Sequence, residues 1–203
     1  MNYLAIDTSG TNLTLAVSKN GKVFVYHDAS CGVKHSVEVM PQLESLMERA
    51  NFTLNDADFF AVVTGAGSFT GIRIGVSTVK ALAFATNKPV LEITSFDTIA
   101  YNELNGKRLA VINAKHGYYY ACGYTDGVVT IPPRYIDEDS VRELSAEYQI
   151  MAFEPLSAFE NAIVASVKDG LIKAVENKGI AQAKNPDAIT PLYIRKSQAE
   201  EGR

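Results

Sequence analysis

Residues 2–7 read Asn-Tyr-Leu-Ala-Ile-Asp, residues 12–18 Asn-Leu-Thr-Leu-Ala-Val-Ser, and residues 22–28 Lys-Val-Phe-Val-Tyr-His-Asp. The first is a short apolar run that ends on a carboxylate, and the other two alternate. Between them stand Ser9-Gly10-Thr11 and Lys19-Asn20-Gly21. Asn-Gly joining two alternating segments is a strong hairpin signal, because both residues tolerate positive φ. The stretch therefore predicts an antiparallel meander of three strands.

Outward from the meander, residues 35–50 predict a helix. Val39, Leu43, Leu46 and Met47 recur at helical spacing, with Glu38, Gln42, Glu44 and Glu48 opposite. Pro41 lies within it and predicts a kink or the first turns, since proline removes a backbone donor. A buried strand near 59–64, a glycine-rich loop, a helix over 71–86 and a strand over 89–94 follow. This order predicts an α/β fold with helices against a mixed sheet.

Near residue 105 the pattern starts again. Asn105-Gly106 precedes a strand at 108–113, residues 118–124 are strongly β-prone, and Asp126-Gly127 turns the chain into 128–131. A helix over 138–146, a strand over 149–153, a helix over 157–177 and a short strand at 192–194 complete the expectation. Element order thus divides the chain into 1–104 and 105–203, each half opening with a meander, as in a structural duplication.

Composition narrows the function. Nineteen basic residues against 23 acidic ones leave a net charge of -4, where a dedicated nucleic-acid binder shows a basic excess. Work on RNA through a partner stays open. At 47% hydrophobic and 21% charged, the chain reads as globular with a real core and not as disordered. No apolar run approaches the roughly 20 residues that span a bilayer. Met1-Asn2-Tyr3-Leu4 lacks the basic start of a signal peptide. Cys31 and Cys122 fall in no motif. A reducing cytoplasm is the expected compartment, with no membrane partner.

The loop Thr64-Gly65-Ala66-Gly67-Ser68-Phe69-Thr70-Gly71-Ile72-Arg73-Ile74-Gly75 joins a strand to a helix, with Thr70 placed as the cap. Such a loop can aim backbone N–H groups at an anion. Equally, its glycines can serve a sharp corner and close packing. It matches neither the Walker loop nor the dinucleotide fingerprint. In the helix that follows, Arg73, Ser77 and Lys80 form a narrow polar stripe. Ile72, Ile74, Val76, Val79, Leu82 and Phe84 make most of the remainder apolar. Such a helix needs burial on more than one side. A second subunit, admitted by Gly71 and Gly75, and the protein's own layers are the two ways to provide it.

Asp7-Thr8-Ser9 places a carboxylate and two hydroxyls at the mouth of the first hairpin, as actin-like and sugar-kinase folds do towards a nucleotide's metal and phosphates. The corresponding strand of the second half ends in Asn113-Ala114-Lys115-His116-Gly117, and no Gly-Gly pair occurs in the chain. Half a nucleotide site remains, so Asp7, Thr8 and Ser9 read as a vestigial phosphate loop. His27, Cys31 and His35 are spaced by four, but His27 ends a strand and Gly32 interrupts a helix through Cys31. Ordinary loop residues are the simpler reading. Only His116 remains, and neither a His-Glu-x-x-His nor a Ser-His-Asp arrangement can be assembled. Tyr118, Tyr119 and Tyr120 read as a strand with both faces partly buried, and an aromatic platform for bases is the sharper alternative.

Taken together, Ala5-Ile6-Asp7-Thr8-Ser9, His35-Ser36 leading to Met40-Pro41, the loop from Gly65 to Gly75, and Pro191-Leu192-Tyr193-Ile194-Arg195 with Ala199-Glu200 resemble the bacterial TsaB (YeaZ) family. The resemblance implies the duplicated actin/sugar-kinase/Hsp70-like (ASKHA, ribonuclease H-like) fold, related to the M22 glycoprotease-like proteins. It also implies a non-catalytic scaffold or activating subunit in biosynthesis of tRNA threonylcarbamoyladenosine. The catalytic paralogue TsaD carries a metal-binding His-x-x-x-His where this chain has Ser95-Phe96-Asp97-Thr98-Ile99. Implied partners are TsaD, the ATPase TsaE and a second copy, with tRNA reached through the complex. The implied cofactors, ATP or ADP and a metal, belong to the partner subunits and none to this chain. The pairing region covers His35, Val39, Leu43 and Met47 on one helix and Gly71, Ile72, Gly75, Val76 and Val79 on the other. Many relatives show Asp-Ala-Arg where this chain has Asn113-Ala114-Lys115. An independent glycoprotease-type metallopeptidase, an ATP-dependent enzyme and a direct tRNA-binding module are the alternatives.

Overall fold

Asn20 and Gly21 take φ of 53° and 79°, and the hairpin closes where Asn-Gly predicts it. In the computed structural model, which describes residues 1–195, β1 (Tyr3–Asp7), β2 (Leu13–Lys19) and β3 (Lys22–Asp28) form the antiparallel meander. The other edge of β1 pairs in parallel with β4 (Phe59–Val63), and β4 pairs with β5 (Val90–Ile93). The sheet order is β3-β2-β1-β4-β5. With a strand on each side, β1 is buried along its whole length, which is why it reads as an apolar run and not as an alternation. Two helices, α1 (His35–Arg49) and α2 (Phe69–Thr86), share one core with the sheet. Val39, Leu43 and Leu46 from α1 and Ile72, Val76 and Val79 from α2 meet Leu4, Ile6, Leu15, Val17, Phe60 and Val62. Pro41 lies in the second turn of α1, on its exposed side.

The remaining elements are α3 (Ser95–Ala100), β6 (Lys107–Lys115), β7 (Tyr118–Thr125), β8 (Val128–Asp137), α4 (Glu138–Ser145), β9 (Gln149–Ala152), β10 (Ile163–Val164) and α5 (Val167–Lys178). Their sheet runs β8-β7-β6-β9-β10. Counted from its own first strand this is the order of the first sheet, an antiparallel meander extended by two parallel strands. The duplicated fold that the resemblance implies is thus present in strand order. Leu109, Val111, Tyr119 and Ala121 pack with Val141, Ile150 and Phe159 in a separate core. One compact unit comprises Met1–Ser95 and Ala174–Leu192, and the other Phe96–Lys173 with residues 193–195.

Several boundaries differ from expectation. The helix expected over 157–177 begins only at Val167, because Ile163 and Val164 pair in parallel with Met151 and Ala152. A free sheet edge there outcompetes helical continuation. No strand forms at 192–194; the Leu192 N–H donates to the Thr64 carbonyl at 2.8 Å without a ladder. β8 runs on past Pro132-Pro133 because its register against β7 shifts between Ala121 and Tyr124, and a bulge accommodates residues that lack a donor. Ala199 and Glu200 lie outside the described residues.

Candidate functional site

β1 delivers Asp7 to the end of the first sheet, where it is only 1% exposed. Its Oδ1 accepts two bonds from Ser9, from the N–H at 2.8 Å and from Oγ at 2.7 Å. Ser95 Oγ donates to Ser9 Oγ at 3.1 Å, and Thr8 Oγ1 donates to the Gly71 carbonyl at 2.7 Å. Burial pushes the Asp7 carboxyl above the usual carboxylate range. The two Ser9 bonds and the nearby His35 and His27 oppose that shift.

The glycine loop folds onto the same corner. The Ser68 N–H donates to the Ser9 carbonyl at 2.7 Å, and the Ser95 N–H to the Gly65 carbonyl at 2.6 Å. The expected cap at Thr70 is replaced by Ser68, whose Oγ accepts from the Gly71 N–H at 3.2 Å. A cap must sit in extended backbone three residues before the donor it serves, and Ser68 does. The helix therefore starts at Phe69. Gly71 and Gly75 face the chain's own first strand. A Cβ at Gly71 would run into the Thr8 carbonyl oxygen. One at Gly75 would come 2.5 Å from Thr8 Oγ1 and 3.5 Å from Val62 Cγ2. The Ser9, Ser68, Gly71 and Ser95 N–H groups are all bonded to the chain's own oxygens. Asp7, Thr8 and Ser9 thus build a closed corner.

The residues expected to pair with a partner turn inward. His35, Val39, Leu43, Gly71, Ile72, Gly75, Val76 and Val79 are buried within this chain, and Met47 is half-buried. Val76 and Val79 in particular belong to the core, so their apolar character is already explained by the protein's own layers. What the two helices show to solvent is different. Val33 in the turn before α1 is 97% exposed and Val37 69%, with Met40 beside them in sequence and Phe84 54% exposed on α2. Sequence reasoning missed this second row, although the steps from 33 to 37 and 37 to 40 were a helical signal. Of the polar stripe, Arg73 and Ser77 are exposed, while Lys80 Nζ donates to the Ile189 carbonyl at 3.3 Å.

The other candidates are not brought together. His27 Nδ1 lies 2.9 Å from Thr14 Oγ1, His35 Nε2 lies 2.9 Å from the Asn12 carbonyl, and Cys31 is buried. Among the described residues no three His, Cys, Asp or Glu side chains could hold a metal. No helix among them is long and apolar enough to cross a membrane. At the matching place for a metal-binding His pair, Ser95 is bonded to Ser9 and Ile99 is fully buried. Asp97, between them, accepts from Tyr124 Oη at 3.0 Å. Ile99 has no ligating atom, so this place lacks the second donor that a His-x-x-x-His pair supplies.

The end of β6 has the same turn chemistry without the burial. Asn113 Oδ1 accepts from the Lys115 N–H at 2.8 Å, but Asn113, Lys115, His116 and Gly117 are exposed. The last three all have positive φ, at 70°, 55° and 76°. Tyr119 enters the core of the second unit, whereas Tyr118 and Tyr120 lie on the opposite face of β7.

Comparison with known proteins gives the family and the fold. A family model described as TsaD, tRNA N6-adenosine threonylcarbamoyltransferase, matches residues 29–143. The chain is 33% identical over 122 residues to the tRNA threonylcarbamoyladenosine biosynthesis protein TsaB of Bacillus subtilis, covering 59% of this chain and 53% of that one. It is 30% identical over 128 residues to the protein of the same name from Escherichia coli, covering 61% and 55%. The chain thus spans about half the length of the curated relatives it matches. Its fold is that of YeaZ from Pseudomonas aeruginosa, with a TM-score of 0.79 at 22% identity over 95% of this chain and 99% of that one.

Proposed function

The chain belongs to the family described as TsaD, tRNA N6-adenosine threonylcarbamoyltransferase, and from that membership we propose that it is a non-catalytic subunit of the TsaB type. In this reading it pairs with a TsaD-type catalytic partner and supports threonylcarbamoyl transfer to the tRNA adenosine beside the anticodon. A TsaE-type ATPase joins the same cytoplasmic assembly, and this chain also pairs with itself. The observation that carries the reading is the corner at Asp7. Its hydroxyls and the Ser9 N–H are bonded within the chain, and Ser95 and Ile99 stand where the resemblance expects the catalytic paralogue's two histidines.

A subunit that contributes no reacting group contributes surface. The exposed row Val33, Val37 and Met40 is apolar area held in water at a cost. Covering it by a partner helix is the expected source of pairing energy, while the inward row of the same helix holds the sheet.

Mixing the purified chain with its TsaD-type partner tests this, with mass read by light scattering after size exclusion. A heterodimer is expected, and transfer to tRNA should need both chains. Val37→Asp is expected to weaken pairing at least about tenfold while leaving the fold intact, since the side chain is outside the core. A strict monomer that ignores the partner would sink the proposal. So would stoichiometric metal or micromolar ATP bound by this chain alone, which would point instead to an independent metallopeptidase or ATP-dependent enzyme.

A further inference from the structure

The tyrosines of β7 are not used by the reading above. Alternation along the strand puts Tyr118 and Tyr120 on one face, followed by Cys122 and Tyr124. Farther along this row the side chains are buried, and Tyr124 is tied to Asp97. Nearer the turn the row comes to the surface, where Tyr118 is 41% exposed. Tyr135 of β8 stands opposite Tyr120. Its ring stacks on Tyr118, with centroids 4.7 Å apart and planes 6° from parallel, and lies 5.6 Å from Tyr120. Arg195 completes the group. Its guanidinium carbon lies 5.1 Å from the Tyr135 ring centre, and Nη1 donates to Tyr135 Oη at 3.1 Å. Lys115, exposed at the end of β6, is paired with Tyr118 in the strand register.

Parallel aromatic rings at the surface with a guanidinium held against them have the chemistry that seats a nucleobase. Stacking accepts any base, and an arginine adds both a flat surface and a charge for phosphate. We propose that Tyr118, Tyr120, Tyr135 and Arg195 form a stacking seat for an unpaired base of a single-stranded nucleic acid, with Arg195 and Lys115 as its phosphate cations. Two cations, set against the Asp137 carboxylate that faces Tyr118 in the strand register, make this a weak and shallowly salt-dependent contact, in keeping with a chain whose net charge is -4. It supplements a stronger grip elsewhere and does not replace one. The seat does not depend on the subunit reading, and it is tested on this chain alone. Failure of the pairing experiment leaves it standing, and the reverse holds.

The rival reading is a tyrosine ladder that only stabilises paired strands, and the two separate cleanly. The chain has no tryptophan, so Tyr118→Trp introduces a sole reporter at the exposed end of the stack. Oligoriboadenylate and oligodeoxyadenylate are titrated against it, with inorganic polyphosphate as the probe of charge alone. Saturable quenching by at least one strand is expected, with none from polyphosphate. Affinity should fall with salt at a logarithmic slope of about −1.4, the value for two phosphates on a single strand. Adding Arg195→Ala to the reporter chain should weaken binding at least about fivefold. A response to one strand alone supports the seat and identifies which strand it takes. No quenching by either, equal quenching by polyphosphate, or indifference to Arg195→Ala overturns it. Anisotropy of a labelled oligonucleotide, with the unsubstituted chain and Tyr118→Ala compared at equal far-ultraviolet dichroism, repeats the test without the reporter. Equal affinities there count as overturning it too.

Discussion

The two halves of the chain end their first strands with the same turn and put it to opposite uses. Asp7 accepts from the N–H two residues on at 2.8 Å, and so does Asn113. Around Asp7 the corner is sealed by Thr8, Ser68, Gly71 and Ser95. Around Asn113 the chain continues into an exposed turn of three residues with positive φ. A single side-chain-to-backbone bond therefore does not make a site. Enclosure does, and enclosure comes from elements distant in sequence. The two halves share strand order and local turn chemistry and differ in their surroundings.

Glycines give the sharpest way to break this contrast. Gly71→Ala would press a methyl group into the Thr8 carbonyl, and overpacking against backbone is expected to cost about 3 kcal/mol in denaturant unfolding. Gly117→Ala meets no neighbour within 4 Å, so it is expected to cost about 1 kcal/mol, from its positive φ of 76° alone. Equal costs would mean that the first corner is no tighter than the second.

Charge comes next. Because burial raises the Asp7 carboxyl above its ordinary range, the folded chain retains a proton there that the unfolded chain has released. Stability therefore falls as pH rises from the ordinary carboxylate value through the folded one. Asp7→Asn keeps an acceptor for Ser9 and removes the charge. It is expected to melt higher than the parent at neutral pH, with the advantage shrinking as pH falls through that window. A gap between the two melting temperatures that does not change with pH would show that the carboxylate is not under strain.

Smaller effects concern the start of α2. Ser68→Ala is expected to lose about 1 kcal/mol by removing the cap, and Thr70→Ala less than about 0.5 kcal/mol. The reverse order would restore Thr70 as the cap. Smallest of all is Asn113→Ala, expected to cost about 0.5 kcal/mol at an exposed turn. A loss as large as that of Gly71→Ala would mean that the second corner is closed as well.

Much of this fold is legible in order. Asn20-Gly21 places the first hairpin, the spacing of Val39, Leu43 and Leu46 places α1, and the continuous run from Tyr3 to Ile6 marks a strand with neighbours on both sides. These signals are local, because φ preference and side-chain period depend on a few adjacent residues. The site was less legible. Asp7, Thr8 and Ser9 were visible as chemistry but not as a sealed corner, because their partners Gly71 and Ser95 lie more than sixty residues away. Val33 and Val37 went unread because two apolar rows run along α1, and periodicity does not say which one meets the sheet.

What the sequence determined by itself was the order of most elements, the first hairpin and α1 among them, and the meander that opens each half. Only the tertiary structure decided which apolar row is core and which is surface, and where the helix after the glycine loop is capped. It also decided that Ile163 and Val164 join a sheet and that Thr8 and Ser9 are bonded to Gly71 and Ser95. The physical reason is that these outcomes are competitions for burial and hydrogen-bond partners between segments far apart in the chain. A strand edge, a carbonyl or a helix face is won by whichever segment packs there, and no local preference records the winner.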